Sequence, residues 1–353
     1  MQQSQNHINL IIKAMLNSTG AKTMYVLAIF SLLCFWSCER DIEEPEGPSI
    51  EELFGEFSVL QDFAIDQKII DLAANESTFF NAQFSKTVDW QIQIIGRESG
   101  GIKIIEGTSN FIDQSNSAWS GTTTQIPMFS SEVCDVELLI LNESASYSDS
   151  LEVENNLQHE GFVVADFENG FDPNWTGFVQ SGADMTFTIT GDRPAGQGNS
   201  YYDMGGLVDW DYLIGLIDFP AEAYGSPTFD LNPNGDQLYF NVFLYNDPTI
   251  MNEIVLFQFR EDDNGDGSFT ESSEDLYAVE FTDLEAGWQH ISVKYSDLNN
   301  LINGQPAVPN GNGVHNPDKL HQISVLMLAD PATGYSQVLM DYLIFTENEP
   351  LRP

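Results

Sequence analysis

The sequence predicts an all-β protein, an Ig-like β-sandwich followed by a jelly-roll β-sandwich. Three observations carry this. Apolar and polar residues alternate over short runs, most strictly in Thr87–Ile95, where Val88, Trp90, Ile92 and Ile94 share one face. Turn residues punctuate the runs, notably Gly100-Gly101, Asn303-Gly304 and Pro309–Gly313. Helical periodicity is nearly absent, and a short helix at Ser296–Leu301 is the one exception expected.

The chain opens with a segment that belongs to neither sandwich. Residues 1–37 hold Lys13 and Lys22 and no acid. The apolar run Met24–Trp36 fits the core of a signal peptide and is too short to span a bilayer. Met15 and Met24 are both candidate starts, and Met15 keeps Lys22 as a positive leader. Phe35-Trp36-Ser37-Cys38 resembles the lipobox of bacterial lipoproteins, with Phe35 where Leu is usual. That resemblance implies cleavage before Cys38 and lipidation of its thiol. Two acyl chains would then hold the protein stably on a lipid bilayer. A plain secretory signal ending near a cysteine is the alternative. Residues 38–50 are acidic, contain Pro45 and Pro48, and read as a tether. Glu39, Asp41, Glu43 and Glu44 resemble the export signal of surface lipoproteins in Bacteroidetes; an ordinary charged linker is the other reading.

Charge narrows the partners. The chain has 54 acidic and 12 basic residues, a net charge of −42. Such a surface repels phosphate backbones, so no nucleic acid is expected as a partner. It suits calcium or neutral, hydroxyl-rich ligands. Of three cysteines, Cys34 leaves with the signal and Cys38 is acylated, so no internal disulfide is available. Cys134, between Val133 and Val136, is expected as a buried small hydrophobe.

Residues 51–157 form the first sandwich, a spacer. Strands are expected at Thr78–Phe84, Thr87–Ile95, Ile102–Ile105, Asp135–Leu141 and Ser150–Glu154. About seven short strands suit an Ig-like domain, with Trp90 as the core tryptophan, although the usual cysteine pair is absent. Trp119 lies in a polar loop, as a ligand platform or a loop anchor.

Residues 158–353 form the second sandwich. Its strands run from Val163–Glu168 through Met185–Thr190, Gln237–Tyr245, Glu253–Phe259, Tyr277–Phe281, Trp288–Val293 and Gln322–Leu328 to Val338–Phe345. Many strands joined by long loops indicate a jelly roll. Asp166-Phe167-Glu168, the run Gly287–Leu298 and the closing Met340–Phe345 resemble galactose-binding-like jelly-roll carbohydrate-binding modules, over residues 163–346. Lipidation, a spacer and a distal sandwich together are similar to surface glycan-binding lipoproteins encoded beside outer-membrane glycan importers. The resemblance implies a polysaccharide partner, an importer complex and a cell-surface, outer-membrane location.

Two calcium sites are arguable. The first and last strands of a jelly roll lie side by side, so Asp166, Glu168 and Asp341 can converge; modules of the resembled type hold calcium there. Sheet-edge acids without an ion are the alternative. Asp262, Asn264, Asp266 and Gly267 match the first half of an EF-hand loop, but position twelve is Ser273 and Glu274 falls one place late. That loop is either a calcium-bound hairpin tip or an acidic turn that solvates itself.

Sugar binding asks for flat aromatic faces and hydroxyl-gripping amides or carboxylates. Trp210 and Tyr212 alternate with Asp209 and Asp211 in the richest stretch, Gly198–Tyr212. Trp175, Tyr201, Tyr202 and Tyr245 are further platforms, and Arg193, Gln197 and Asn199 are polar candidates. Trp288, on an alternating strand, is assigned to the core. Catalytic signatures are missing: His159, His290, His315 and His321 lack metal-ligand spacing, and no nucleophile elbow or phosphate loop occurs. The expected function is non-catalytic polysaccharide binding. The alternatives are a lipid-anchored glycoside hydrolase or lyase built on the jelly roll, and a calcium-dependent adhesin.

Overall fold

The computed structural model describes residues 55–143, 145–207, 213–250, 254–282, 284–302, 305–328 and 335–353. The expected lipidation site Cys38 and the expected platforms Trp210 and Tyr212 lie outside the described residues.

Six strands build the first sheet: β1 (Val59–Ile65), β2 (Ile69–Asp71), β3 (Phe80–Gly96), β4 (Ile102–Ile112), β5 (Val133–Ile140) and β6 (Ser146–Asn155). The two runs Thr78–Phe84 and Thr87–Ile95 prove to be one strand, β3, with a register shift against β4 between Gln83 and Val88. A bulge of this kind bends a strand without ending it, so six strands do what about seven were expected to do. β1 pairs antiparallel with β3, and β2 pairs parallel with β6. β1 and β2 thus end the path β1-β3-β5-β6-β2, β4 pairs with β3 alone, and the sheet packs on one core. Phe80, Trp90, Ile92, Ile94, Cys134, Val136, Leu138 and Leu151 fill it. Trp119 is an anchor there, not a platform. It is 1% exposed, packs edge-on against Phe129 at 4.9 Å, and donates from Nε1 to the Thr122 carbonyl.

The second sandwich has two facing antiparallel sheets. Its strands are β7 (Phe162–Ala165), β8 (Thr176–Val179), β9 (Asp184–Thr190), β10 (Tyr201–Leu207), β11 (Leu213–Pro220), β12 (Leu238–Asn246), β13 (Ile254–Glu261), β14 (Leu276–Phe281), β15 (Gly287–Lys294), the pair β16 (Leu301–Ile302) and β17 (Gln305–Pro306), β18 (Leu320–Leu328) and β19 (Tyr335–Glu347). One sheet runs β15-β12-β19-β10-β9, with β7 also on β19; the other runs β14-β13-β18-β11-β8. Phe240 and Phe345 of the first sheet meet Phe257 and Phe259 of the second at centroid separations of 5.1–6.4 Å. The expected helix at Ser296–Leu301 shrinks to one 3-10 turn, Tyr295–Asp297. Asn299 instead exchanges backbone hydrogen bonds with Ala278 on β14, and that pairing stops a helix.

From Phe57 to Pro353 the chain forms one compact unit, and the two sandwiches are docked within it. Met128 N–H donates to the Gly196 carbonyl, and Thr123 N–H to the Pro353 carbonyl. Met128, Phe243, Tyr342, Ile344 and Leu351 are buried together at this junction.

Candidate functional site

The outer face of the β15-β12-β19-β10-β9 sheet positions the candidate site. On β10, Tyr202 and Met204 point into the core, so Tyr201, Asp203 and Gly205 face outward. Register then builds a transverse row across five strands: Thr188, Asp203, Leu339, Tyr245 and Trp288. The next row holds Thr186, Gly205 and Gln337, and the last Asp184, Leu207 and Tyr335. Gln337 Nε2 donates to Asp203 Oδ1 at 2.8 Å, which fixes both polar groups on the face. The Arg193 guanidinium, from the β9–β10 connection, lies 4.6 Å from the Tyr245 ring centroid. Arg193, Tyr245, Asp247, Gln337 and Leu339 line a shallow notch. Asp247 is held below the usual carboxylate range by the Thr249 N–H and hydroxyl, and Arg193 adds to this.

Half of the face is closed. Trp288 Nε1 donates to the Pro194 carbonyl at 3.0 Å, and Tyr201 packs edge-on against the Trp288 ring at 5.8 Å. Tyr201 is 2% exposed and Tyr202 fully buried. Neither is a platform: the 193–200 loop covers Tyr201, and strand alternation turns Tyr202 inward against Phe167. Burial pushes the Tyr202 hydroxyl pKa up. Trp175 is no platform on this face either; it packs edge-on against Phe219 at 4.9 Å beside the core. Trp288, assigned to the core from alternation, is half-buried on the outer face beside Tyr245, at 5.4 Å. Of the residues expected for sugar, Arg193 and Tyr245 are brought together. Asp203, Gln337 and Tyr335 were missed. Alternation along Tyr201–Leu207 flags Asp203, but Gln337 and Tyr335 join it only through the β10–β19 register.

Gln197 and Asn199 instead serve Asp341 on β19 and Glu168, which lies just past β7 because that strand ends at Ala165 and not at Glu168. Gln197 N–H donates to Asp341 Oδ2 at 2.7 Å, and Asn199 and Ser200 N–H donate to Glu168 Oε1 at 2.8 and 2.7 Å. Asp341 is fully buried. Its pKa is pushed well up, first by burial and then by repulsion from Glu168 and Asp166. Phe167 and Tyr342, their neighbours, take left-handed backbone at φ 58° and 45°. Strand register breaks just after Asp341, between it and Ile344. The side-chain oxygen of Gln197 is buried without a hydrogen-bond partner. The side-chain oxygens here are of the hard kind calcium takes, but among the described residues Asp166, Glu168 and Asp341 do not bring one oxygen each within 4.8 Å of one another.

In the EF-hand-like loop the oxygens of Asp262 accept from the N–H groups of Gly265, Asp266 and Gly267. Glu274 Oε1 accepts from Asn264 N–H, and Asp266 Oδ1 accepts from Ser268 N–H and its hydroxyl. The loop thus uses these carboxylates to satisfy its own backbone. Among the described residues, the acids whose oxygens come within 4.8 Å of one another are different ones: Glu261, Asp263 and Asp275.

No family model matches the sequence, and no curated protein matches it. Solved structures similar to the chain are β-sandwich modules. A carbohydrate-binding module from the beta-sandwich super family aligns at 12% identity over 82% of this chain and 98% of that one, TM-score 0.38. A family 11 carbohydrate-binding module from Clostridium thermocellum, in complex with a β-1,3-1,4-mixed-linked tetrasaccharide, aligns at 14% identity over 52% and 93%, TM-score 0.36. A family 22 xylan-binding domain from Paenibacillus barcinonensis aligns at 12% identity over 55% and 99%, TM-score 0.32.

Proposed function

We propose that this protein binds a polysaccharide, without cleaving it, on the open part of the β15-β12-β19-β10-β9 face. The observation that carries this is the juxtaposition of Arg193, Tyr245, Asp203 and Gln337 on a flat strand surface. An aromatic ring offers its face to pyranose C–H groups, while a guanidinium, an amide and a carboxylate grip hydroxyls in fixed directions. Tyr335, 40% exposed, extends the strip along β19. The described histidines are each engaged within the fold. His290 bonds Asn241, His315 the Leu298 carbonyl, and His321 the Pro227 carbonyl, while His159 packs against Tyr342.

The remaining parts of the reading rest on the sequence. Lipidation at Cys38 and the acidic tether would hold the protein on the outer-membrane surface, where it would supply glycan to an importer complex. Calcium between Asp341, Glu168 and Asp166 would neutralise the buried Asp341 carboxylate and lock the 193–200 loop beside the face.

The test is retardation in native gels containing soluble β-glucan, mannan, xylan or pectin, with an assay for new reducing ends. Retardation without new ends, weakened at least tenfold by Q337A or Y245A, is the expected result. New reducing ends would make the protein an enzyme. A protein that ignores every glycan is left with the adhesin reading. For the anchor, C38A is expected to shift the protein from the membrane fraction to the soluble one.

A further inference from the structure

The β13–β14 hairpin brings three acids together that neither the sugar face nor the EF-hand-like turn uses. Glu261 ends β13 and Asp275 immediately precedes β14; Glu261 N–H donates to the Asp275 carbonyl at 3.0 Å. Asp263 lies just inside the loop, and its Oδ2 accepts from Asp275 N–H at 3.1 Å. One carboxylate oxygen from each of the three lies within 4.8 Å of the other two. Glu261 and Asp275 have no exposed surface.

A second segment closes over them. Gly311 and Gly313 N–H donate to the two oxygens of Asp275, each at 2.7 Å. Asn316 N–H and the Tyr295 hydroxyl donate to Glu261 Oε1, each at 2.8 Å. Asn312 Nδ2 donates to Asp263 Oδ1. A Cβ at Gly311 would fall 2.3 Å from Asp263 Oδ2, so only glycine lets the backbone come this near. This is the Pro309–Gly313 stretch, legible in the sequence only as a turn.

One oxygen in this arrangement has no explanation. Glu261 Oε2 is buried without a hydrogen-bond partner, although Oε1 accepts twice. A buried carboxylate oxygen is expensive to leave alone, and here it stands beside two more carboxylates. Lys319 Nζ donates to the Asp263 backbone carbonyl at 2.8 Å and comes no nearer than 3.8 Å to its carboxylate, at Oδ1.

We infer that Glu261, Asp263 and Asp275, covered by the loop from Asn310 to Asn316, bind a calcium ion that ties this loop to the β13–β14 hairpin. The donors are hard oxygens held by backbone amides, which suits calcium over transition metals. Each carboxylate oxygen has a second lone pair, so the amide bonds and the ion coexist. Glycan binding plays no part in this inference.

The test uses the purified full chain stripped with chelator and titrated with calcium by calorimetry. E261Q and D275N are expected to lose one calcium equivalent that the D341N and D262N variants retain. Saturating calcium is expected to raise the wild-type melting temperature by about 5–10 °C. In chelator E261Q should melt no lower than wild type, because it removes an uncompensated charge, yet it should respond less to calcium. In the wild type alone, calcium should slow hydrogen exchange at the Gly311, Gly313 and Asn316 amides at least tenfold. Unchanged exchange at these amides would overturn the site, whether or not the variants fold. So would calcium stoichiometry equal to wild type in E261Q, or no calcium binding by the wild type. A proton on Glu261 would then be what the cluster carries.

Discussion

The Arg193 guanidinium sits 4.6 Å from the centroid of the Tyr245 ring, on the face where Tyr245 lies opposite both Leu339 and Trp288. The contact orients a mobile side chain and holds its donors near the Gln337–Asp203 pair. R193A is expected to weaken glycan retardation about tenfold, or about 1.4 kcal/mol. R193K should recover only part of it, since an ammonium cannot make the planar two-donor contact. Affinity electrophoresis of both variants against wild type reads the difference. Equal retardation of all three would move the ligand off this face.

Gly107 on β4 is paired with Trp90 on β3, and a Cβ at Gly107 would lie 2.3 Å from Trp90 Cζ2. Trp90 is 1% exposed and its Nε1 donates to Ser109 Oγ at 2.9 Å, so the ring cannot swing away. G107A should destabilise the first sandwich by about 1–3 kcal/mol through overpacking. S109A should cost about 1 kcal/mol through the lost hydrogen bond. Denaturant unfolding followed by tryptophan fluorescence measures both.

His159 and His290 are both pushed down to about 4 by burial, and His159 adds repulsion at His290. An unfolded histidine titrates near 6.5. Below that pH the unfolded chain takes up protons that the folded chain refuses. Stability therefore falls as pH drops from 6.5 towards 4 and is insensitive to these groups above 6.5. The effect should reach on the order of 2 kcal/mol for each ring after allowance for partial solvent screening. H290Q, which keeps a side-chain donor for Asn241 Oδ1, should flatten the slope between pH 6.5 and 4.5 in thermal melts. An unaltered slope would mean the ring is solvated.

Cys134 is fully buried on β5, and burial with the nearby Glu132 and Asp135 charges pushes its thiol up to about 12. Thiolate is the reactive form. Alkylation at this position should therefore follow global unfolding, with negligible labelling in native buffer and full labelling in denaturant, as read by peptide mass mapping. Fast native labelling would show that the first sandwich opens locally.

The sequence was most legible where a residue's fate depends on its own strand. The alternation around Trp90 correctly placed Val88, Ile92 and Ile94 in one core, and Cys134 is buried as its valine neighbours implied. The same rule misassigned Trp288 to the core, and aromatic character alone misassigned Tyr201 as a platform. Both do lie on the outward side of their strands, but whether an outward side is wet depends on what docks on it. Here the 193–200 loop and the first sandwich cover one end of the sheet. Alternation has no access to that.

What the sequence by itself determined was the class: all-β, two successive strand-rich stretches and an anionic chain, each a property of neighbouring residues or of bulk charge. Only the tertiary structure decided which residues share a site. Gln337 meets Asp203 across 134 positions, and Glu261 meets Asn316 across 55. Such pairs are fixed by strand register and loop closure, which depend on the packing of the whole sandwich and leave no local periodicity to read.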